Sequence, residues 1–290
     1  LEPGDCLVIN KTKVMACRLL GRKTTRGKAD LLLVKELEPG LWTVLSSGLK
    51  RGMILDFPGG LCAAVEIINE EGEYVCRFNS KDLPSYLQNH GLAPLPPYIH
   101  KRKKPSRDDL SRYQTVYAQH IGSIAAPTAG LHFTPELLDK IKAKGISVAS
   151  LTLHVGRGTF KPIQAEDASR HNMLPERYSL DEGNATLIAA ARHAGRRVIA
   201  VGSTSTRTLE TLALKPGGFG PGQGLSDLYI CPGHEFKIVG ALVTNFHLPR
   251  STPLLLASAF LGRESLLEAY RDAVAQKYRL YSYGDAMLII

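Results

Sequence analysis

Five short apolar runs recur between residues 30 and 78, at a spacing of roughly ten residues: DLLLVKEL, LWTVLSS, MILDF, LCAAVEII and YVCRF. Gly, Pro or charged turns separate them. Runs this short and this regular predict a compact all-β module, either a sandwich or a barrel. KDLPSYLQNHG (81–91) has the signs of a short helix, with Leu83, Tyr86, Leu87 and His90 on one face and Gly91 as its stop. The pattern then breaks at the proline-rich LAPLPPY, residues 92–98, which reads as a domain boundary.

Outside that module the period changes. GDCLVIN (4–10) reads as a buried strand. TPELLDKIKAKG (134–145) is a helix with Thr134 as cap, Pro135 in the first turn and Gly145 as its end. ISVASLTLHVG, RRVIAVG, ALVTNFHL and LYSYGDAMLII read as strands. STSTRTLETLAL reads as a loop running into a helix, and ESLLEAYRDAVAQKY as an amphipathic helix with Leu267, Tyr270, Val274 and Tyr278 on one face. Strands alternating with helices predict a layered α/β domain. KPGGFGPGQG (215–224) is too rich in Gly for regular structure and reads as a mobile loop.

Composition narrows the class. Apolar residues make up 44% of the 290, enough for a sizeable core. Lys and Arg outnumber Asp and Glu by 36 to 27, which suits a phosphate-rich partner or simply a basic enzyme. The cysteines are Cys6, Cys17, Cys62, Cys76 and Cys231, without a C-x-x-C, so neither a disulfide framework nor a zinc ribbon is expected. Scattered thiols fit a cytoplasmic protein. The longest apolar run, Leu254 to Leu261, is too short for a bilayer, and no signal peptide is recognised. The chain starts at Leu1, not Met.

Several segments carry residues fit for chemistry. In LTLHVGRGTF, His154 sits near the end of a strand, where open α/β sheets bind ligands. Gly156 and Gly158 there let backbone amides approach a substrate, and Thr159 follows. AAPTAGLHFTP places Pro127, Thr128, Ala129 and Gly130 beside His132, either as a tight packing joint or as a close approach to a ligand. VGSTSTRTLE offers Ser203, Thr204 and Arg207 to an anion. TNFHLPRSTP offers Asn245, His247 and Ser251, and SYGDAM offers Asp285. No H-x-x-x-H or H-x-H occurs, so no metal site is expected, and G-x-S-x-G, G-x-G-x-x-G and G-K-[ST] are missing as well. Metal-free acid–base catalysis around bound anionic groups fits this set best. A metal-dependent hydrolase and a non-catalytic RNA-binding protein remain open. Lys101, Arg102, Lys103, Lys104, Arg107 and Arg112, interleaved with Tyr98, Tyr113 and Tyr117, suit looped RNA as well as they suit a solvated charge run.

In order, YQTVYA, AAPTAGLHF, LTLHVGRGTF, TNFHLPRST and SYGDAMLI closely resemble the S-adenosylmethionine:tRNA ribosyltransferase-isomerase family of queuosine biosynthesis, as do GDCLVIN and VGSTSTRTLE. The resemblance covers nearly the whole chain. It implies transfer and isomerisation of the ribosyl group of S-adenosylmethionine onto the aminomethyl-deazaguanine wobble base of tRNA, giving epoxyqueuosine with loss of adenine and methionine. It implies no prosthetic group, S-adenosylmethionine as co-substrate and tRNA as partner; a monomer is the favoured state. The implied fold is a discontinuous α/β catalytic domain, residues 1–12 and 98–290, with a small β-barrel domain inserted at 13–97. On this reading His154 and His132 are the acid–base candidates, Asp285 and His247 support them, and Arg207 with Ser203 and Thr204 holds an anion. The family pattern is broken at Lys11 and Gly240, where Asp is usual, and at Leu174, where His is usual. Family members also carry further residues ahead of GDCLVIN.

Overall fold

The computed structural model describes residues 1–69, 73–96, 99, 106, 108–156, 158, 163 and 167–290. The chain begins with β1 (Cys6–Asn10) and β2 (Thr12–Val14). Next come β3 (Arg18–Lys23), β4 (Lys28–Glu38), β5 (Leu41–Leu45), β6 (Ile54–Asp56), β7 (Cys62–Ile68), β8 (Tyr74–Phe78), α1 (Leu83–His90) and α2 (Asp108–Arg112). They are followed by β9 (His120–Ser123), α3 (Pro135–Ala143), β10 (Ser147–Leu153), β11 (Glu176–Leu180), α4 (Glu182–His193) and β12 (Val198–Val201). The remainder is α5 (Gly202–Ala213), β13 (Gly222–Ser226), β14 (Ala241–Asn245), α6 (Thr252–Leu261), α7 (Arg263–Ala275) and β15 (Ala286–Ile289). Tertiary contacts form two compact units, Leu1–Lys13 with Gln114–Ile290, and Val14–Tyr113.

The larger unit is a seven-stranded sheet in the order β13-β11-β10-β1-β12-β14-β15. β10, β1, β12 and β14 run parallel, and β11, β13 and β15 antiparallel to their neighbours. Central parallel strands are covered on both faces and so read as unbroken apolar runs; every residue of β1 and of β12 is buried. The strand's period of two divides them between two cores. Leu7, Ile9, Ile199 and Val201 meet Phe133, Leu138 and Ile141, so α3 covers that face. Cys6, Val8 and Leu151 meet Ile188, Leu209 and Leu212, so α4 and α5 cover the other. Each such aliphatic side chain contributes about 1.5–3 kcal/mol by leaving water. Thr134 caps α3 by accepting from Leu137 N, and the Asp181 carboxylate caps α4 by accepting from Asn184 N.

The smaller unit holds a closed barrel in the order β3-β4-β5-β8-β7-β6. Leu19, Leu31, Leu33, Val44, Leu55, Val65 and Cys76 are buried in this unit. Closure of β6 on β3 requires Gly21, since a Cβ there would lie 2.3 Å from the Asp56 carbonyl oxygen. In α1 the expected face divides: Leu83 and Leu87 are buried, while the Tyr86 and His90 rings stack at 4.5 Å.

Several expectations need correction. Within the expected boundary segment, Leu92 exchanges two backbone hydrogen bonds with Arg18, and the second compact unit extends to Tyr113. Residues 215–224 are not all loop, because Gly222–Ser226 pairs with β11 as an edge strand. α5 starts directly at Gly202, whose φ of 83° turns the chain out of β12 without a loop. In α7 the inward residues are Leu266 and Ala273, with Leu267 and Val274 exposed. No described helix is long and apolar enough to cross a membrane.

Candidate active site

The four parallel strands end at one edge of the sheet, with Asn10 level with Leu151, Val8 with Ala200 and Val201 with Val243. Asn10, Thr12, His154, Ser203, Thr204 and Asn245 lie at or just beyond those strand ends, where open α/β sheets bind ligands. Asn10 ties the edge together. Its Oδ1 accepts from Leu153 N at 3.0 Å and Thr12 N at 3.1 Å. Its Nδ2 donates to Leu153 O at 3.0 Å and Thr204 Oγ1 at 3.1 Å. Fully buried and fully bonded, it fixes β1, β10 and α5 relative to one another.

His154 stands in a hydroxyl chain. Its Nδ1 is 2.9 Å from Thr12 Oγ1, which is 2.7 Å from Ser123 Oγ, which accepts from Val155 N at 2.8 Å. The ring lies on Gly122: a Cβ there would be 2.6 Å from both Cε1 and Nδ1. Burial holds the His154 pKa below its ordinary 6.5, helped by the charges of Arg177 and His120. The imidazole is therefore neutral near pH 7 and able to take a proton. If it does so, Nδ1–H donates to Thr12 and Thr12 to Ser123, so the chain serves both protonation states.

His132 ends a 3-10 turn, Thr128–His132. Asn245 Nδ2 lies 2.7 Å from His132 Nε2 and 3.4 Å from Tyr281 O, and Asn245 Oδ1 accepts from Thr128 Oγ1 at 3.0 Å. A carbonyl only accepts, so the amide nitrogen faces Tyr281 and His132, which makes Nε2 an acceptor and places the ring proton on Nδ1. Burial lowers the His132 pKa, the Asp285 charge opposes this and the Arg279 charge adds to it. Asp285 supports His132 only through charge; its oxygens bond Arg279, at 2.8 Å to Nη2 and 2.8 Å to the backbone N, and those bonds hold its carboxyl below the usual range. Within the turn, packing explains Gly130: a Cβ would fall 2.1 Å from Tyr117 Oη. Ala129 packs beside Gly202 in the same way, 3.3 Å from where its Cβ would be. Pro127 is buried and Thr128 half-buried.

A third cluster corrects two expectations. Arg207 is not free to hold an anion. It is buried, with Nη1 on Glu176 Oε2 at 2.5 Å, Nη2 on Ser226 O and Nε on Leu228 O at 3.0 Å each. Nor is the Gly156 amide open to a substrate, because it donates to Glu176 Oε1 at 2.7 Å. Ser203, Thr204 and Arg207 instead wall a cavity with Met173, Tyr229 and Leu256. His247 is likewise tied elsewhere: Nε2 lies 2.7 Å from Thr244 Oγ1, its backbone N donates to Tyr270 Oη, and burial pushes its pKa down to about 4. Ser251 donates to Leu248 O at 2.7 Å. Gly158 is buried, and a Cβ there would lie 3.4 Å from Leu174. Lys11 pairs with Asp181 at 3.7 Å, and Gly240 lies against Arg197. Thr159, Lys101, Arg102, Lys103, Lys104 and Arg107 fall outside the described residues; Arg112 is exposed at the end of α2.

Sequence reasoning offered Glu176 within HNMLPE but missed Asn10, Thr12, Ser123 and Gly122. A signal was present for Asn10 alone, as the one polar side chain closing an otherwise apolar run. No group of three or more His, Cys, Asp or Glu suited to a metal occurs among the described residues.

A profile of the queuosine biosynthesis protein family matches residues 1–289. The S-adenosylmethionine:tRNA ribosyltransferase-isomerase of Thermus thermophilus is 49% identical over 301 residues, covering 100% of this chain and 85% of that protein. The protein of the same name from Citrifermentans bemidjiense is 46% identical over 99% of this chain and 85% of its own. A crystal structure of S-adenosylmethionine tRNA ribosyltransferase from Thermotoga maritima matches with a TM-score of 0.51 at 36% identity, over 100% of this chain and 84% of that one.

Proposed function

This chain belongs to the queuosine biosynthesis protein family, and from that premise we propose that it is an S-adenosylmethionine:tRNA ribosyltransferase-isomerase. It moves the ribosyl group of S-adenosylmethionine to the aminomethyl-deazaguanine wobble base of tRNA and isomerises it, leaving epoxyqueuosine, adenine and methionine. The observation that carries this reading is identity of 46–49% along essentially the whole chain to proteins of that name. The Val14–Tyr113 unit is an inserted barrel domain, and the protein works in the cytoplasm as a monomer. The basic run Lys101, Arg102, Lys103, Lys104, Arg107 and Arg112 contacts the tRNA backbone.

The chemistry asks for two groups. A sulfonium acidifies the C–H beside it, so a base removes that proton, and a donor assists adenine as it departs. His154, neutral and backed by two hydroxyls, is the base. His132, neutral with its proton on Nδ1, stabilises charge on the departing adenine by a hydrogen bond. Asn245 and Thr128 orient His132, and Asp285 tempers the loss of basicity that burial causes there. Thr204, Ser203 and the cavity beside them take the rest of S-adenosylmethionine.

The test is incubation with S-adenosylmethionine and base-modified tRNA, following adenine by chromatography. Adenine release is expected, and His154→Ala slows it by about 10²–10⁴-fold. Tight tRNA binding with no adenine marks a non-catalytic binding protein; activity abolished by chelator marks a metal enzyme. Either result sinks the proposal.

A further inference from the structure

YQTVYA leaves two hydroxyls without a partner among the described residues. Tyr117 Oη and Thr115 Oγ1 are both buried, and neither makes a hydrogen bond among the described residues. Each such group costs about 1–3 kcal/mol if nothing meets it. Both side chains pack on one spot. A Cβ at Gly130 would lie 2.1 Å from Tyr117 Oη and 2.8 Å from Thr115 Cγ2. Gly130 is the middle of the Thr128–His132 turn, whose two ends both bond Asn245 at the sheet edge. The orphan hydroxyls therefore adjoin the turn that carries His132.

Resting on the reading above, we propose that Tyr117 and Thr115 form a subsite for the ribose hydroxyls of S-adenosylmethionine. The chemistry of the pair favours that ligand over the molecule's charged ends. Both groups are neutral, and each can both donate and accept a hydrogen bond, as an alcohol partner requires. Burial pushes the Tyr117 phenol well above its usual range, so it stays an O–H donor. The two residues meet at a glycine, which leaves backbone and hydroxyl side by side without a side chain between them.

Equilibrium binding tests this without needing turnover. Affinity for S-adenosylmethionine and for its 2′-deoxy and 3′-deoxy analogues is measured calorimetrically on the full chain, for the wild type, Tyr117→Phe and Thr115→Val. Tyr117→Phe is expected to raise Kd for S-adenosylmethionine about tenfold, the scale of one lost hydrogen bond to a buried group. Against the deoxy analogue whose missing hydroxyl Tyr117 meets, the variant is expected to bind as the wild type does. Thermal melting is expected to stay level or rise, since Phe removes an unmet hydroxyl. Unchanged affinity in both variants would overturn the inference, because the hydroxyls would then hold only water. So would an equal loss on all three ligands, the mark of a structural role, or failure of the wild type to bind S-adenosylmethionine. Binding without adenine release in the turnover assay would instead count against the enzymatic reading alone.

Discussion

Replacing Gly122 with alanine puts a methyl group where the His154 ring lies. The new Cβ would sit 2.6 Å from ring atoms Cε1 and Nδ1, against an ordinary contact of 3.4 Å or more. The ring must retreat by about 0.8 Å or Gly122 must move by as much. The bond from His154 Nδ1 to Thr12 Oγ1, now 2.9 Å, then stretches to a length at which hydrogen bonds fail. A displacement of about 1 Å at a reacting group costs on the order of 10²-fold in rate. The lost hydrogen bond costs about 0.5–1.5 kcal/mol of stability, a fall of a few degrees in Tm. Adenine release under saturating substrates is the assay, with melting as the check on folding. Thr12→Val serves as the milder partner: it removes the hydroxyl without moving the ring, and a drop of about tenfold is expected. A folded Gly122→Ala enzyme running at the wild-type rate would show that His154 does not need this floor, and the base assignment would go with it.

Three further outcomes follow from the same geometry. His154 titrates below 6.5, so as a base it keeps the rate level down to that pH and loses it only at lower pH; Arg177→Gln removes a repelling charge and moves this acid limb upward, and a limb centred above 6.5 in the wild type contradicts the scheme. Glu176→Gln leaves Arg207 buried without its counter-charge and is expected to cost about 3–5 kcal/mol in denaturant unfolding; a loss below 1 kcal/mol would show that the pair does not hold the fold. His247 is held neutral when folded, with a pKa of about 4, whereas the unfolded chain takes up its proton near 6.5. Stability therefore falls as pH drops from about 6.5 to 4, by up to about 3 kcal/mol, and His247→Gln is expected to flatten that part of the Tm profile.

Local pattern carried much of the architecture. The turn-punctuated runs of 30–78 became barrel strands, with interior and surface positions alternating along β5 and the first half of β4. β1 and β12 were legible because a strand covered on both faces reads as an apolar run, interrupted in β1 only by the terminal Asn10. β11 and β13 were not: ERYSL and GQGLS carry few apolar residues, and pairing between them decides their state more than composition does. The site was read by residue type, which singles out His154, His132, Arg207 and His247 alike; the fold adds that Arg207 is held by Glu176 and His247 by Thr244. Type says what a side chain can do; it does not say which buried partner already holds it. Glu176 is 31 residues from Arg207, and Thr12 is 142 from His154, so neither pairing has a local signature. Gly130 shows the same limit, since only the fold brings Tyr117 against it.

The hydroxyl pair behind His154 joins residues 111 positions apart, one on each side of the Val14–Tyr113 unit. The hydrogen-bonded chain is thus closed only after a long excursion of the polypeptide. Closing such an excursion costs little more when it is longer: each doubling adds only about 0.6 kcal/mol of entropy. The excursion's length can drift over evolution at small thermodynamic penalty. What it cannot do is return out of register, because a slip of one residue at either junction turns Thr12 or Ser123 away and leaves the imidazole without its hydroxyl partners.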